Sequence, residues 1–152
     1  MEVKSVKKWI VTSLTTAAFL GVAALSSSAA EYKSVSKDGI NMRSGPGTNY
    51  EIIYQLPEGY PLKVLSVKDQ WYKVEDYEGD KGWIYGTLLS DTPYVIVKVN
   101  EGNVRTGPST NDSKVGSVAR DVILKEVDKK GDWLKVSHPQ IEGWVHRSLI
   151  WP

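Results

Sequence analysis

The sequence says one thing twice: Asn41-Met42-Arg43-Ser44-Gly45-Pro46-Gly47-Thr48-Asn49 returns 62 positions later as Asn103-Val104-Arg105-Thr106-Gly107-Pro108-Ser109-Thr110-Asn111. A repeat at fixed offset sets the structural unit before any other pattern is read. The same offset carries Trp71-Tyr72-Lys73-Val74 onto Trp133-Leu134-Lys135-Val136, while Gly82-Trp83-Ile84-Tyr85 returns one position early as Gly143-Trp144-Val145-His146. Tyr32 pairs with Tyr94, so the unit is about 60 residues long and the second copy has lost one residue between its tryptophans. Two small homologous domains are expected, over residues 31–90 and 93–152. A unit of about 60 residues buries only about 60% of its unfolded surface, so each copy alone should be marginal. The short connection Ser90-Asp91-Thr92-Pro93 leaves the copies little freedom to separate, and docking between them is predicted.

Residues 1–30 stand outside the repeat. Lys4, Lys7 and Lys8 precede a mostly apolar or small stretch from Trp9 to Leu25, and Ser28-Ala29-Ala30 offers small residues for cleavage before Glu31. That is the pattern of a secretory signal peptide, expected to be helical and to be removed. Export to the periplasm or the exterior follows, without a membrane anchor once the signal is gone. The chain has no cysteine, so neither disulfides nor a lipid-modified cysteine enter the argument. Without the segment the chain carries 16 basic and 17 acidic residues, a net charge of −1. That balance argues against nucleic acid, which needs a basic footprint, and against electrostatic membrane attachment.

Within each copy the signals are short strands and tight turns. Ile40 and Met42 alternate with Asn41 and Arg43 before Ser44-Gly45-Pro46-Gly47 breaks the run. Further strands are expected over Ile52–Leu56, Pro61–Val67, Trp71–Val74 and Gly82–Tyr85. Leu62 and Leu65, matched by Leu124 and Val127, are spaced by three and break the period of two, which predicts a bulge or bend. Five short strands with a long first loop predict an all-β chain of two small, strongly bent barrels. Alternation puts Tyr72 with Val74, and Leu134 with Val136, on one face and turns Trp71 with Lys73, and Trp133 with Lys135, toward water; Ile84 and Val145 look inward, which leaves Trp83, Tyr85, Trp144 and His146 toward an outer groove.

Asn-x-Arg-Ser/Thr-Gly-Pro, then Trp-x-Lys-Val about 26 residues on, then Gly-Trp-Ile/Val-x-x-x-Leu, occurs in both copies. This set resembles the bacterial SH3-like (SH3b) domain over Tyr32 to Leu89 and Tyr94 to Ile150. The resemblance implies tandem SH3-like barrels in an exported bacterial envelope protein. Many such domains hold a wall hydrolase to peptidoglycan; no enzyme is evident beside these two copies, so recruitment of an attached catalytic domain is not expected.

Gly45, Pro46, Gly107 and Pro108 are expected to shape the turn, Arg43 and Arg105 to bond loop carbonyls, and Asn41 and Asn103 to satisfy loop backbone groups. The copies differ in tyrosine: Tyr50, Tyr54, Tyr60, Tyr72, Tyr77 and Tyr85 face Asp112, Gly116, Val122, Leu134, Pro139 and His146 in the second copy. Shared fold requirements do not explain the excess, and tyrosine suits recognition at low entropic cost. Tyr50, Tyr54, Trp71, Trp83, Tyr85 and Trp144 are therefore the candidate ligand-binding residues, with a copy-to-copy interface as the competing use of the tyrosines. Only His138 and His146 could act as imidazole bases, neither in a nucleophile motif, and no metal-ligand spacing is apparent; the acidic loop Glu75 to Asp80 reads as a solvated turn. No catalytic residues, cofactor or metal are expected. The expected partner is peptidoglycan, through its peptide or glycan part, or else another envelope protein met through a groove or sheet edge. Ligand identity and oligomeric state stay open.

Overall fold

The computed structural model describes residues 1–3, 5, 8–10 and 29–152. Most of the segment expected to form a signal helix lies outside the described residues. Its described part includes two short strands, β1 (Glu2–Val3) and β2 (Trp9–Ile10).

The first copy forms β3 (Tyr32–Val35), β4 (Ile40–Arg43), β5 (Ile52–Leu56), β6 (Pro61–Lys68), β7 (Trp71–Glu75), β8 (Lys81–Tyr85) and β9 (Leu89–Ser90). The second forms β10 (Tyr94–Val97), β11 (Glu101–Arg105), β12 (Lys114–Ala119), β13 (Ile123–Lys130), β14 (Trp133–His138), β15 (Ile141–His146) and β16 (Ile150–Trp151). Three-residue 3-10 turns, Gly86–Leu88 and Arg147–Leu149, precede β9 and β16, and the described residues contain no α-helix. The strand orders β5-β4-β8-β7-β6-β3-β9 and β12-β11-β15-β14-β13-β10-β16 are the same topology, with every neighbour antiparallel. The chain is thus all-β, a pair of curled SH3-like barrels. Each has two more strands than the sequence pattern marks: Tyr32–Val35 pairs with Pro61–Lys63 and Leu89–Ser90 pairs with Tyr32–Val35, extending the first sheet at its end.

Alternation places the cores. Met42, Val74 and Ile84 in the first barrel and Val104, Val136 and Val145 in the second are fully buried, each flanked by half-buried or exposed neighbours. The predicted bulge is present in both copies, between Val64 and Ser66 and between Glu126 and Asp128. Leu65 and Val127 are themselves the extra residues and are exposed, so the spacing of three marks the irregularity and not a second inward position.

The barrels are docked through one two-faced wall. In β10, Val95 and Val97 enter the second barrel's apolar cluster, while Ile96 between them belongs to the first barrel's cluster. The neighbouring strands repeat the division: Leu124 and Ile150 face the second core, and Ile123 and Trp151 pack on the first. Gly59, at φ 76°, turns the first barrel's chain beneath this wall, and a Cβ there would stand 2.8 Å from the Tyr94 ring. Around the contact the Tyr32 and Trp151 rings meet edge to face at 5.5 Å, and the Tyr77 hydroxyl donates to Asp121 Oδ1. Ser34 Oγ donates to the Thr92 carbonyl at 2.7 Å, pinning the connection.

Candidate functional site

Three adjacent strands assemble the outward patch. Cross-strand partners share a face, and the register pairs Arg43 with Trp83, Trp83 with Lys73, and Tyr85 with Trp71. The opposite face holds Met42, Val74 and Ile84, so alternation leaves the aromatic and basic side chains outside the core. The second barrel repeats the arrangement with Arg105, Trp144, Lys135, His146 and Trp133. Trp71 and Tyr85 meet edge to face at 5.4 Å; Trp133 and His146 do so at 5.2 Å. The Tyr85 hydroxyl donates to Gln70 Oε1, whereas His146 Nδ1 lies 2.8 Å from Ser148 Oγ. His146 thus takes the place of an aromatic wall.

In the first barrel Trp71 and Tyr85 border a groove of about 840 Å³. Its lining also includes Lys37, Asp38, Asn41, Arg43, Leu88 and the loop residues Gly47, Thr48 and Asn49. An aromatic wall with charged and polar groups at its rim can stack a flat or apolar face of a ligand while bonding its polar edge.

The loop over this groove is built from within. Arg43 Nη1 donates to the carbonyls of Thr48 at 3.1 Å and Tyr50 at 2.8 Å, and Arg105 Nη1 to that of Asp112 at 3.0 Å. Both arginines therefore hold loop carbonyls. Gly45 lets the Tyr50 ring lie against the turn: a Cβ there would come within 2.3 Å of the ring. At the matching Gly107 the same space is taken by the Asp112 carboxylate, at 2.5 Å. Asn41 differs from expectation. Its Oδ1 accepts from Gln55 Nε2 at 3.2 Å, linking β4 to β5 side chain to side chain, and Asn103 is exposed.

The six candidate ligand residues do not form one cluster. Trp71 and Tyr85 line the groove; Trp83 shares their face beside Arg43; Tyr50, 43% exposed, caps the loop; Trp144 belongs to the second barrel's patch. Tyr54 pairs with Met42 and so starts from the inner face, where it packs on the core and donates its hydroxyl to Asp80 Oδ2 at 2.7 Å. Among the other extra tyrosines, Tyr60 is buried, Tyr72 packs on the core and Tyr77 bridges the barrels.

The acidic turn is a feature that sequence reasoning placed wrongly. Asp76 is only 3% exposed. Its Oδ1 accepts the amides of Glu78 and Asp80 at 3.0 and 2.9 Å, and its Oδ2 accepts from the Tyr60 hydroxyl at 3.2 Å. Lys8 Nζ then donates to Asp76 Oδ2 and Asp80 Oδ2, both at 2.7 Å, and stands 3.9 Å from the centre of the Tyr54 ring. Burial opposes the Lys8 charge, but bonds to Asp76 and Asp80 outweigh it and raise its pKa above the usual lysine range. The bond from Lys8, with that from Tyr54, holds the Asp80 carboxyl below its ordinary value, while burial and the Asp76 charge raise the Tyr60 phenol. The carboxylates of Asp76, Glu78 and Asp80 lie within 4.8 Å of one another, a grouping that could hold a cation. The second barrel has Val122 at the position of Tyr60 and His138 at that of Asp76, and burial lowers the His138 pKa. One sequence signal was available: the tyrosine and the acid change together between the copies.

Two family models, each described as bacterial SH3 domain, match residues 36–91 and 100–150. The chain belongs to the bacterial SH3 domain family. Its two SH3 domains are 25% identical over 127 residues to "Putative N-acetylmuramoyl-L-alanine amidase YrvJ" of Bacillus subtilis, covering 76% of this chain and 24% of that protein. A second relative, "Probable cell wall amidase LytH" of Staphylococcus aureus, is 26% identical over 103 residues, covering 58% of this chain and 35% of its own length. The chain therefore spans only about a quarter to a third of these relatives. A structure of NlpC2 from Trichomonas vaginalis aligns over 84% of this chain and 49% of its own, at 14% identity and a TM-score of 0.35, a likeness that carries no inference. The tandem SH3 domains of this chain, together with relatives named as amidases, one of them of the cell wall, point to a cell-wall-related module. No helix of the described residues is long and apolar enough to cross a membrane.

Proposed function

We propose that the chain is an exported, non-catalytic wall-binding module, with its domains at 31–90 and 93–152, that recognises peptidoglycan through the groove beside Trp71 and Tyr85. The observation that carries this reading is the groove itself: an edge-to-face aromatic pair, outside the core, at the wall of a cavity also lined by Lys37, Asp38, Asn41 and Arg43. Trp83 and Tyr50 extend the contact surface, and the matching Trp133–Trp144 face of the second barrel offers a second, different site. The names of the relatives support a wall ligand over another envelope protein. Chemistry on the ligand is not proposed: His146 Nδ1 is engaged by the Ser148 amide and hydroxyl of the 3-10 turn it caps, and His138 Nδ1, at the end of β14, by the Gln140 amide.

Sedimentation with purified insoluble peptidoglycan tests the reading. The chain is expected to pellet with the wall, and Trp71→Ala with Tyr85→Ala to lower the bound fraction at least about tenfold, the scale of an aromatic hot spot. A chain that stays in the supernatant, or a variant that pellets as well as the parent, refutes it. That the double variant stays folded is checked by near-ultraviolet circular dichroism.

A further inference from the structure

In both barrels the strand after the long loop, β5 or β12, would be the last of its sheet but for the N-terminal residues laid along it. Trp9–Ile10 runs antiparallel on Gln55–Tyr54, and Glu2–Val3 runs parallel on Ser117–Val118, where the Met1 carbonyl accepts the Ser117 amide at 2.9 Å. Two pairings of opposite direction, with unrelated sequences, show an edge that takes an extended chain through its backbone. Sheet edges of this kind are templates for strand addition unless covered.

The first barrel adds a charge-selective socket at the end of that edge. Asp76 is fixed by the turn amides and by Tyr60 independently of Lys8, which leaves Oδ2, together with Asp80 Oδ2, aimed at an incoming donor. The donor present is an ammonium from a segment 68 residues away, and the Tyr54 ring faces it at 3.9 Å. Two short carboxylate bonds and an aromatic face describe a receptor for a primary amine, since a ring face attracts a partly desolvated ammonium.

We infer that the β5 edge and the Asp76–Asp80 turn form a binding site for an extended peptide carrying a primary ammonium side chain, and that Lys8-Trp9-Ile10 occupies it as an internal stand-in. The site is separate from the Trp71–Tyr85 groove, because Tyr54 and the groove pair start from opposite faces of the sheet. It goes beyond the wall-binding reading: the binding chemistry does not depend on that reading, and only the freeing of the site rests on the export proposed there. Signal removal would free the site in the exported form.

The test uses the full chain with Lys8→Ala and Trp9→Pro, which empty the socket and break strand pairing; Trp9 is 71% exposed, so no core contact is lost. The probes are a capped Lys-Trp-Ile peptide and its twin with norleucine for lysine, followed by backbone amide resonances. The lysine peptide should bind at least about tenfold more tightly than its twin, the scale of a charge-assisted bond. Shifts should centre on Ile52–Leu56 and residues 76–80, and adding Asp80→Asn should remove the preference. The parent chain should bind the lysine peptide more weakly than the released one. Equal binding of the two peptides, no binding at millimolar concentration, or equal affinity of parent and released chains overturns the inference. Should the double variant unfold, Lys8→Ala alone probed with n-butylammonium reads the socket: shifts at Tyr54 and Asp80 support it and their absence overturns it. Wall sedimentation is a separate readout, so failure of the groove and failure of the edge are distinguished.

Discussion

Ile96 gives the sharpest test of whether the barrels form one cooperative unit. It lies in the second barrel's first strand yet is 1% exposed within the first barrel's apolar cluster. Ile96→Ala removes three carbon atoms, worth about 0.8 kcal/mol each by transfer, and leaves a cavity between two β-sheets that cannot collapse freely; the expected loss is about 3 kcal/mol. That is a large part of the 5–15 kcal/mol typical of a small protein. Val95→Ala is the control, because the adjacent side chain points into the second core instead. Urea unfolding followed by tryptophan fluorescence gives the total, and hydrogen exchange read by peptide mass gives its location. A coupled structure loses protection in both barrels with either variant, and the parent unfolds in one transition. Two separated transitions in the parent, or a loss from Ile96→Ala below about 1 kcal/mol or confined to residues 94–151, refute the shared wall.

Gly45→Ala forces the Tyr50 ring from the turn and should cost about 1–2 kcal/mol, falling to near zero in a Tyr50→Ala background; additive losses in that double-mutant cycle would contradict the packing. Tyr77→Phe removes the hydroxyl that bonds Asp121 and should cost about 1 kcal/mol in urea unfolding; Asp121→Ala carries a backbone cost of its own, since Asp121 sits at φ 69°, but should cost about 1 kcal/mol less in the Tyr77→Phe background than in the parent, and equal costs would contradict the bond. Asp80 titrates below its unfolded value, so its stabilising contribution is present above about pH 4 and is lost as pH falls through the lower folded value. Stability of the parent should therefore drop more steeply below about pH 4 than that of Asp80→Asn, and parallel curves would contradict the Lys8 bond. His138 is depressed by burial and accepts the Gln140 amide at Nδ1, so the neutral ring is the folded form. Its contribution is present above about pH 6.5 and declines as pH falls toward the folded value; His138→Gln should flatten that window, and an unchanged slope would count against it.

The outward patch was legible because strand alternation is a local rule. Knowing that Val74 and Ile84 are apolar suffices to turn Trp71, Trp83 and Tyr85 the other way. The repeat helped again with Arg43 and Arg105, since a cation held in both copies next to a Gly-Pro turn points to a loop carbonyl. What escaped depends on contacts between distant segments. A buried Asp76 inside a run of acids looks like a solvated turn until Tyr60 and the turn amides are placed around it. Tyr32–Val35 is a strand because Pro61–Lys63 and Leu89–Ser90 pair with it on its two sides, and Leu89–Ser90 because Tyr32–Val35 is there to receive it, which no window of either stretch reveals. The tyrosine excess combined three separate causes: core filling at Tyr60 and Tyr72, docking at Tyr77, and surface placement at Tyr50 and Tyr85.

The two-faced wall also constrains how the tandem can act. With Ile96, Ile123 and Trp151 engaged by the first barrel and Val95, Leu124 and Ile150 by the second, the outward patches cannot reorient independently without exposing both sets. On the proposed wall-binding reading, avidity in such a pair is set by fixed geometry and not by linker length: a ligand whose repeat matches the spacing gains from both patches, and one that does not engages a single patch. The replacement of Tyr85 by His146 at the equivalent wall makes the two patches chemically unequal as well. A rigid pair of unequal sites favours one polarity of an extended ligand over the other, whereas two flexible identical modules would accept both.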